Sequence, residues 1–451
     1  MTLPPAADDE APRPPSGASG DQLAVAGLDV GQAGDAGAPE DGGQSRDRSL
    51  AVLCAGAFVF GLDLGWISAG ALLATATWQL LRPRPLPGPG HAGLLGAGLL
   101  AATLVSYYAI TVGHGQYEPA RAAGYLAICL LAYAAGLTAS GERDADLLPS
   151  VLVAFVFAAL GSTAYAYLSV SQGLELGAEL SVRSAPSAWN PSDLITGTAL
   201  GAAASPGLAL LAAVVFSVRE DRSRLWQLAA WPAAGAGLVA NVLLLNRAPF
   251  LALGLALAAC GWIFLRAPEV EGWRKPARLA VLLGGALAAA TWAWSVLGAS
   301  DETILARFET EGVSTARWQL LWEVLSQLFF HPLGGRAFPI SENYAHNLWL
   351  DVGYDAGPLP FLLLLAFHAV HLPAVLAVLR RHPSLNARLV TAAALVSFGF
   401  TAMAEPVLIM SVPHFAMGLF LLGGLLRVAA ALPVEAAGEE LAASAASEAP
   451  G

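Results

Sequence analysis

AGLLGAGLLAATLVSYYAITVG, residues 92–113, is a run of twenty-two residues without an Asp, Glu, Lys or Arg. A bilayer hydrocarbon core is ~30 Å thick and takes ~20 apolar residues per helix, so the stretch has the length and composition of a membrane span. Runs of this kind recur from Leu50 to Ala431 with only short polar breaks. Twelve spans are read, near 50–66, 67–81, 92–113, 122–139, 148–168, 194–217, 226–245, 248–265, 279–298, 347–379, 389–408 and 410–431. The fold class expected is an all-α integral membrane protein with about 12 transmembrane helices and one long helical outer loop between spans nine and ten. Gly61, Asp63 and Gly65 interrupt an otherwise overlong apolar run at the start, which favours a tight hairpin there over a single helix.

Composition agrees with a membrane solvent. Apolar residues make up 56% of the chain and DEKR 13%, about half the charged fraction of an ordinary soluble domain. The formal charge of −11 comes largely from tails and loops, so it points to no particular partner and to no nucleic acid. Cys54, Cys129 and Cys260 fall inside apolar runs and read as small hydrophobes, not as disulfides or metal ligands. Residues 1–48 are rich in Pro, Gly, Ala, Asp and Glu without apolar periodicity and read as a disordered tail, not as a signal peptide. Residues 433–451 read as a second tail. The polytopic domain is then 49–432, with its outer loop at 298–346.

Basic residues test the span count independently, because cytoplasmic loops collect Lys and Arg. With the N-terminus inside, sixteen basic residues from Arg46 to Arg427 fall on the inner side, and only Arg121, Arg183, Arg247, Arg307, Arg317 and Arg336 on the far side. This asymmetry supports both tails being cytoplasmic. It also makes the outer arginines candidates for something other than topology.

In the long outer loop, STARWQLLWEVLSQLFF (314–330) reads as a helix capped by Ser314 or Thr315 and stopped by Pro332 and Gly334-Gly335. Helical phase puts Arg317 on the side of Leu321, Val324 and Leu328. An arginine in a first turn opposes the helix dipole. A phosphate bound by the guanidinium and the free backbone N–H groups would compensate; pairing with Glu309, Glu311 or another acid is the alternative. Arg247 occupies the very short turn Asn246-Arg247, with Pro249 opening the next helix. It is either a snorkelling interfacial arginine or a second anion contact. His346-Asn347 opens the tenth span on the same face, followed by Asp351, Gly353, Asp355 and Gly357. In continuous helical phase Gly353 and Gly357 lie within about 20° of His346, leaving room for a close neighbour, while Asp355 projects from the opposite side. If Asp355 orients His346, the helix must break, near Gly357-Pro358. A histidine suits proton abstraction near neutrality, and ionisable groups at membrane depth suggest function; a satisfied hydrogen-bonding role is the plainer reading. Glu405 and His414 either join this site or satisfy each other. Asp193 reads as the cap of the sixth span. His368 and His371 share a helix face without a third ligand, which is poor support for a metal. There is no phosphate-binding glycine loop, HExxH or GxSxG, so nucleotide or peptide hydrolysis is unsupported.

Taken in order, Asn246-Arg247-Ala248, Ala316-Arg317-Trp318, Pro332-Leu333-Gly334-Gly335, and His346-Asn347 with Leu350, Asp355 and Gly357 resemble the O-antigen ligase and polymerase superfamily. The likeness covers about 183–426, with Arg183 to Pro191 and Glu405-Pro406 as less specific parts. The family's acid position, commonly glutamate, is held here by Asp355. The resemblance implies metal-free, inverting transfer of a glycan, without a cofactor, from an undecaprenyl-pyrophosphate donor to a hydroxyl of a glycan, lipid or protein acceptor. The transfer would take place at the outer face of a bacterial inner membrane. His346 would be the base, Arg247 and Arg317 would hold the leaving pyrophosphate, and Asn347, Asp355, Glu405 and Arg183 would support them. Ligase, repeat-unit polymerase and protein glycosyltransferase differ in acceptor and stay open. A transporter or flippase of a lipid-linked precursor, and a membrane scaffold without chemistry, are the competing classes.

Overall fold

Prolines and short polar caps decide where most of the apolar helices begin. The computed structural model describes residues 41–81, 90–139, 148–175, 184–218, 224–244, 246–273, 275–278, 280 and 315–432, with side chains described from residue 48 and, in the loop helix, from Trp318. The expected ninth span, most of the N-terminal tail, the C-terminal tail, Arg183 and the loop before 315, with Arg307, Glu309, Glu311 and Ser314, lie outside the described residues.

The elements are α1 (Asp41–Gly61), α2 (Trp66–Leu80), α3 (Gly90–Gly113), α4 (Pro119–Thr138), α5 (Ser150–Glu175), β1 (Ser184–Pro186), β2 (Leu194–Thr196), α6 (Gly197–Phe216), α7 (Arg224–Leu243) and α8 (Ala248–Arg266). They continue as α9 (Thr315–Leu328), α10 (Leu348–Ala356), α11 (Pro358–Arg381), α12 (Leu385–Ala404), α13 (Val407–Met410) and α14 (Val412–Ala431). Among the described residues eight helices, α3, α4, α5, α6, α8, α11, α12 and α14, are long and apolar enough to cross a membrane. The chain is a helical, multi-pass membrane protein.

The hairpin expected at Gly61 to Gly65 is present: α1 ends at Gly61, Asp63 and Gly65 take positive φ, and α2 starts at Trp66. Three expectations are corrected. The sixth span does not begin at 194, because Leu194–Thr196 pairs with Ser184–Pro186 as an antiparallel hairpin. Its cap is therefore Thr196, whose hydroxyl accepts from the Ala199 amide at 3.2 Å, while Asp193 takes the Asn190 side chain at 2.8 Å. The expected tenth span is two helices, α10 and α11, broken at Gly357 with φ 87°.

Close helix crossings use small residues. A Cβ on Gly61 would overlap the carbonyl of Ala158, and one on Gly161 would overlap that of Phe58, so α1 and α5 meet backbone to backbone. Gly136 of α4 and Gly423 of α14 do the same against Phe420 and Tyr133. In α6, 89% of the apolar window is buried, against 28% in α11; α6 is central, and α11 turns Leu359, Leu362, Leu365 and Leu372 outward.

Hydrogen bonds gather alternate helix ends at one end of the bundle. The Trp189 indole donates to the Leu62 carbonyl, Asn246 to the Gly197 carbonyl, and Thr196 to the Met410 sulfur. His114, just past α3, meets the Leu333 carbonyl at 3.2 Å.

Candidate functional site

The site grows from the break between α10 and α11. Asn347 caps α10, its side chain accepting from the Leu350 amide at 3.2 Å. At the other end Gly357 has φ 87°, a conformation that disfavours any side chain, and a Cβ there would also overlap the Pro332 carbonyl. A broken helix leaves carbonyls without intrahelical partners. The segment Pro332-Leu-Gly-Gly-Arg336 supplies them: Gly335 donates its amide to the Asp355 carbonyl at 2.7 Å, and Arg336 to that of Tyr354 at 3.1 Å. Two glycine-bearing motifs far apart in sequence are thus one clasp. Gly353, whose Cβ would press on Leu328, lets α9 close on the same helix.

His346 stands just before α10 with φ 52°, a left-handed conformation unusual for a side-chain-bearing residue. Asp351 holds it there. Its buried carboxylate accepts from the amides of Ala345 at 2.7 Å and Asn347 at 2.9 Å, on both sides of the histidine. Burial pushes the Asp351 carboxyl up to about 7, against the two amide bonds and the neighbouring His346, which favour its charged form. The imidazole lies between two further acids: Nε2 is 2.9 Å from Glu342 and Nδ1 is 3.6 Å from Glu405. The Glu342 side chain is 48% exposed and that of Glu405 15%, so the first is open to solvent and the second is built in. Glu405 follows the last turn of α12, where its amide still bonds the Thr401 carbonyl.

His346, Asn347 and Glu405 are therefore brought together. Asp355 is not part of this group. The break falls at Gly357, where it was expected, yet Asp355 does not orient His346: its buried carboxylate takes Arg336 Nε at 2.9 Å and the Tyr107 hydroxyl at 3.1 Å. Burial raises the Asp355 carboxyl, and Arg336 and Tyr107 oppose that. Burial alone would lower the Arg336 guanidinium, yet Asp355 and Tyr344 hold it above its ordinary value. Arg336 also has positive φ and packs over the ring of Tyr344, 5.0 Å to its centroid. Arg336, Glu342 and Asp351 are the residues missed in reading the sequence. Arg336 carried a signal as one of the few outer-side arginines, and Asp351 as one of two acids in an apolar run; Glu342 carried none.

The Asn246-Arg247 turn reaches the same end of the bundle through the Asn246 bond to Gly197 and the neighbouring Thr196 bond to Met410, five residues past Glu405. Arg317 lies in the first turn of α9, as expected. Glu323 of that helix accepts from the Ser341 amide at 3.1 Å and hydroxyl at 3.0 Å, bonds that lower its carboxyl pKa and fasten α9 to the segment leading into His346. That segment, Ile340 to Tyr344 with His346, lines an open concavity of about 490 Å³.

Under the start of α10 lies a second, apolar chamber of about 130 Å³ between α11, α12 and α14, with Leu348, Trp349, Ala402 and Val407 at its upper side. His414 belongs to this chamber, buried against the ring of Phe398, and not to the Glu405 pair. His368 also lines it, its Nδ1 on the Leu364 carbonyl, while His371 meets the Tyr133 hydroxyl at 2.9 Å. Chemically, the arrangement offers a histidine that can exchange a proton, with a half-enclosed acid 3.6 Å from one ring nitrogen and an exposed acid bonded to the other, between a polar opening and an apolar slot. No protein-family model matches the chain, and no curated protein compared with it is similar to it.

Proposed function

We propose that the chain is a membrane glycan transferase of the O-antigen ligase and polymerase type, moving a glycan from an undecaprenyl-pyrophosphate donor to an acceptor hydroxyl. The observation that carries this reading is His346 held in left-handed backbone between Glu405 and Glu342, beside an open polar concavity and over an apolar chamber. A lipid-linked substrate needs that division of environments. A neutral imidazole can donate to only one of the two carboxylates. With Nδ1–H turned towards Glu405, 3.6 Å away, an acceptor hydroxyl displaces exposed Glu342 and gives its proton to Nε2 as its oxygen attacks the anomeric carbon. The bond from that carbon to the pyrophosphate oxygen breaks, and the leaving group departs with the electron pair. Glu405 stabilises the imidazolium, and Arg247 and Arg317 hold the developing negative charge.

In the same reading the chain has twelve spans, lies in a bacterial inner membrane and turns the His346 end outward. The described basic side chains support that orientation. Arg48, Arg224, Arg266, Lys275, Arg278, Arg380, Arg381, Arg388 and Arg427 lie toward the opposite end, and only Arg121, Arg247 and Arg336 toward this one.

The test is turnover in proteoliposomes with a radiolabelled undecaprenyl-pyrophosphate glycan and glycan, lipid or protein acceptors. Wild type releases free undecaprenyl pyrophosphate, and His346→Ala loses ~10²–10⁴-fold of that rate while inserting normally. Unchanged turnover removes His346 from the chemistry. Donor translocation without transfer by wild type replaces the transferase with a transporter.

A further inference from the structure

The loop helix α9 divides its surface into three parts, one more than a helix packed at the edge of a soluble core requires. Leu320, Val324 and Leu328 are fully buried; the last two pack in a cluster with Phe338, Ala345, Leu350, Tyr354 and Phe361. Gln319, Glu323, Ser326 and Gln327 form a polar side, where Glu323 ties down Ser341. The remaining side consists of Trp318 (70% exposed), Trp322 (70%), Leu325 (41%) and Phe329 (57%). At about 100° per residue these four positions fall within about 60° of one another. They form one uninterrupted stripe, distinct from both the protein face and the polar face. Just past the helix, Phe330 and Leu333 are exposed as well.

We infer that α9 is an in-plane membrane anchor, lying at the bilayer surface with Trp318, Trp322, Leu325 and Phe329 seated at the headgroup–acyl boundary of the lipid. Three observations select lipid as the occupant. The stripe continues into the outward surface of a span: Phe329 meets Phe361 edge to face at 6.5 Å, and Phe361 is flanked on α11 by exposed Leu359 and Leu362. Two indoles dominate it, and indole, with an apolar body and one N–H donor, concentrates at membrane–water interfaces. The polar side is adjacent to the stripe and not diametrically opposite, because the third side is already taken by α10 and α11. Protein, lipid and water thus each receive one face. This holds whatever reaction the site performs. It fixes the first turn of α9, which carries Arg317, at headgroup height, and through Glu323 and Ser341 it fixes the approach to His346.

The test is depth measurement by spin labelling in liposomes. Cys54, Cys129 and Cys260 are all buried, so a single introduced cysteine takes the label. Trp322→Cys and Leu325→Cys probe the stripe and Ser326→Cys the polar side; all three positions are exposed, so the label disturbs no core. At 322 and 325 the label should collide more with membrane-soluble oxygen than with aqueous nickel chelate, and at 326 the order should reverse. Nickel dominance at all three sites would place the stripe in water and overturn the anchor. So would a label at 322 and 325 shielded from both reagents, which would mean that protein covers the stripe, from a second copy or from another part of this chain.

Discussion

The two ends of the bundle close their helices by different means. At the end opposite His346 the devices are ordinary: Ser384 caps α12, Asn386 exchanges two hydrogen bonds with the backbone of Val218, Arg278 donates to the carbonyls of Phe216 and Ser217, and Arg388 pairs with exposed Glu269. At the His346 end the three non-glycine residues with positive φ among the described residues are found: Asp63, Arg336 and His346. There too lie the buried carboxylates of Asp351 and Asp355. A helix end needs only its free amides and carbonyls satisfied, which the first end achieves without strain. The second goes further, holding ionisable groups in sparsely populated backbone conformations. Such strain persists where surrounding structure over-determines it and concentrates at functional positions.

The contrast can be broken by substitution. Its largest effect beyond His346 itself falls on Glu405. Glu405→Gln keeps the side chain's size and removes the charge beside Nδ1, so kcat should drop on the order of 10²-fold with donor binding retained; an undiminished kcat would reduce Glu405 to a structural cap. Next is Arg336→Ala, which strands the Asp355 carboxylate. A broken buried pair costs ~3–5 kcal/mol, and with the Arg336 side chain 36% exposed the lower figure of ~1–3 kcal/mol applies, read as thermal stability in detergent. Adding Asp355→Asn should restore part of it.

A second stability effect is a slope with pH. The folded Asp351 keeps its proton up to about 7, whereas the unfolded chain releases it near 3.8. Stability from this group is therefore highest below 3.8, falls as pH rises towards 7 and levels off above. Asp351→Asn should flatten that part of the profile in thermal melts taken across the range. The smallest effect belongs to the opposite end. Arg388→Ala removes a partly exposed ion pair and should move stability by ~1 kcal/mol or less, leaving turnover untouched. A loss of activity there as deep as at Glu405 would erase the distinction between the ends.

The sequence made much of the helical layout legible because span length and hydropathy follow directly from bilayer thickness. Even the sharp turn at Gly61, Asp63 and Gly65 could be read from residue type. His346 and Glu405 were legible as ionisable groups in apolar surroundings. Their partners were not, for a definite reason: helical phase counted from His346 assumes an unbroken helix, and the left-handed His346 resets it before α10 starts. Asp355 does project away from His346, as helical phase predicts, to Arg336 and Tyr107, while Asp351, one turn earlier, supports the histidine backbone. Likewise β2 displaces the start of α6 past Asp193, and a pairing between three-residue strands leaves too little pattern to detect.

The joint at Gly357 has a mechanical side as well. Spans answer changes in bilayer thickness by tilting, and an uninterrupted helix through α10 and α11 would swing His346 on an arm of about 14 Å, nine residues at ~1.5 Å each. With the helix broken at Gly357, α11 can lean while α10 stays clasped by Gly335, Arg336 and the Gly353–Leu328 contact. A hinge at Gly357 would let thinning or thickening of the membrane be taken up in the joint and not at His346.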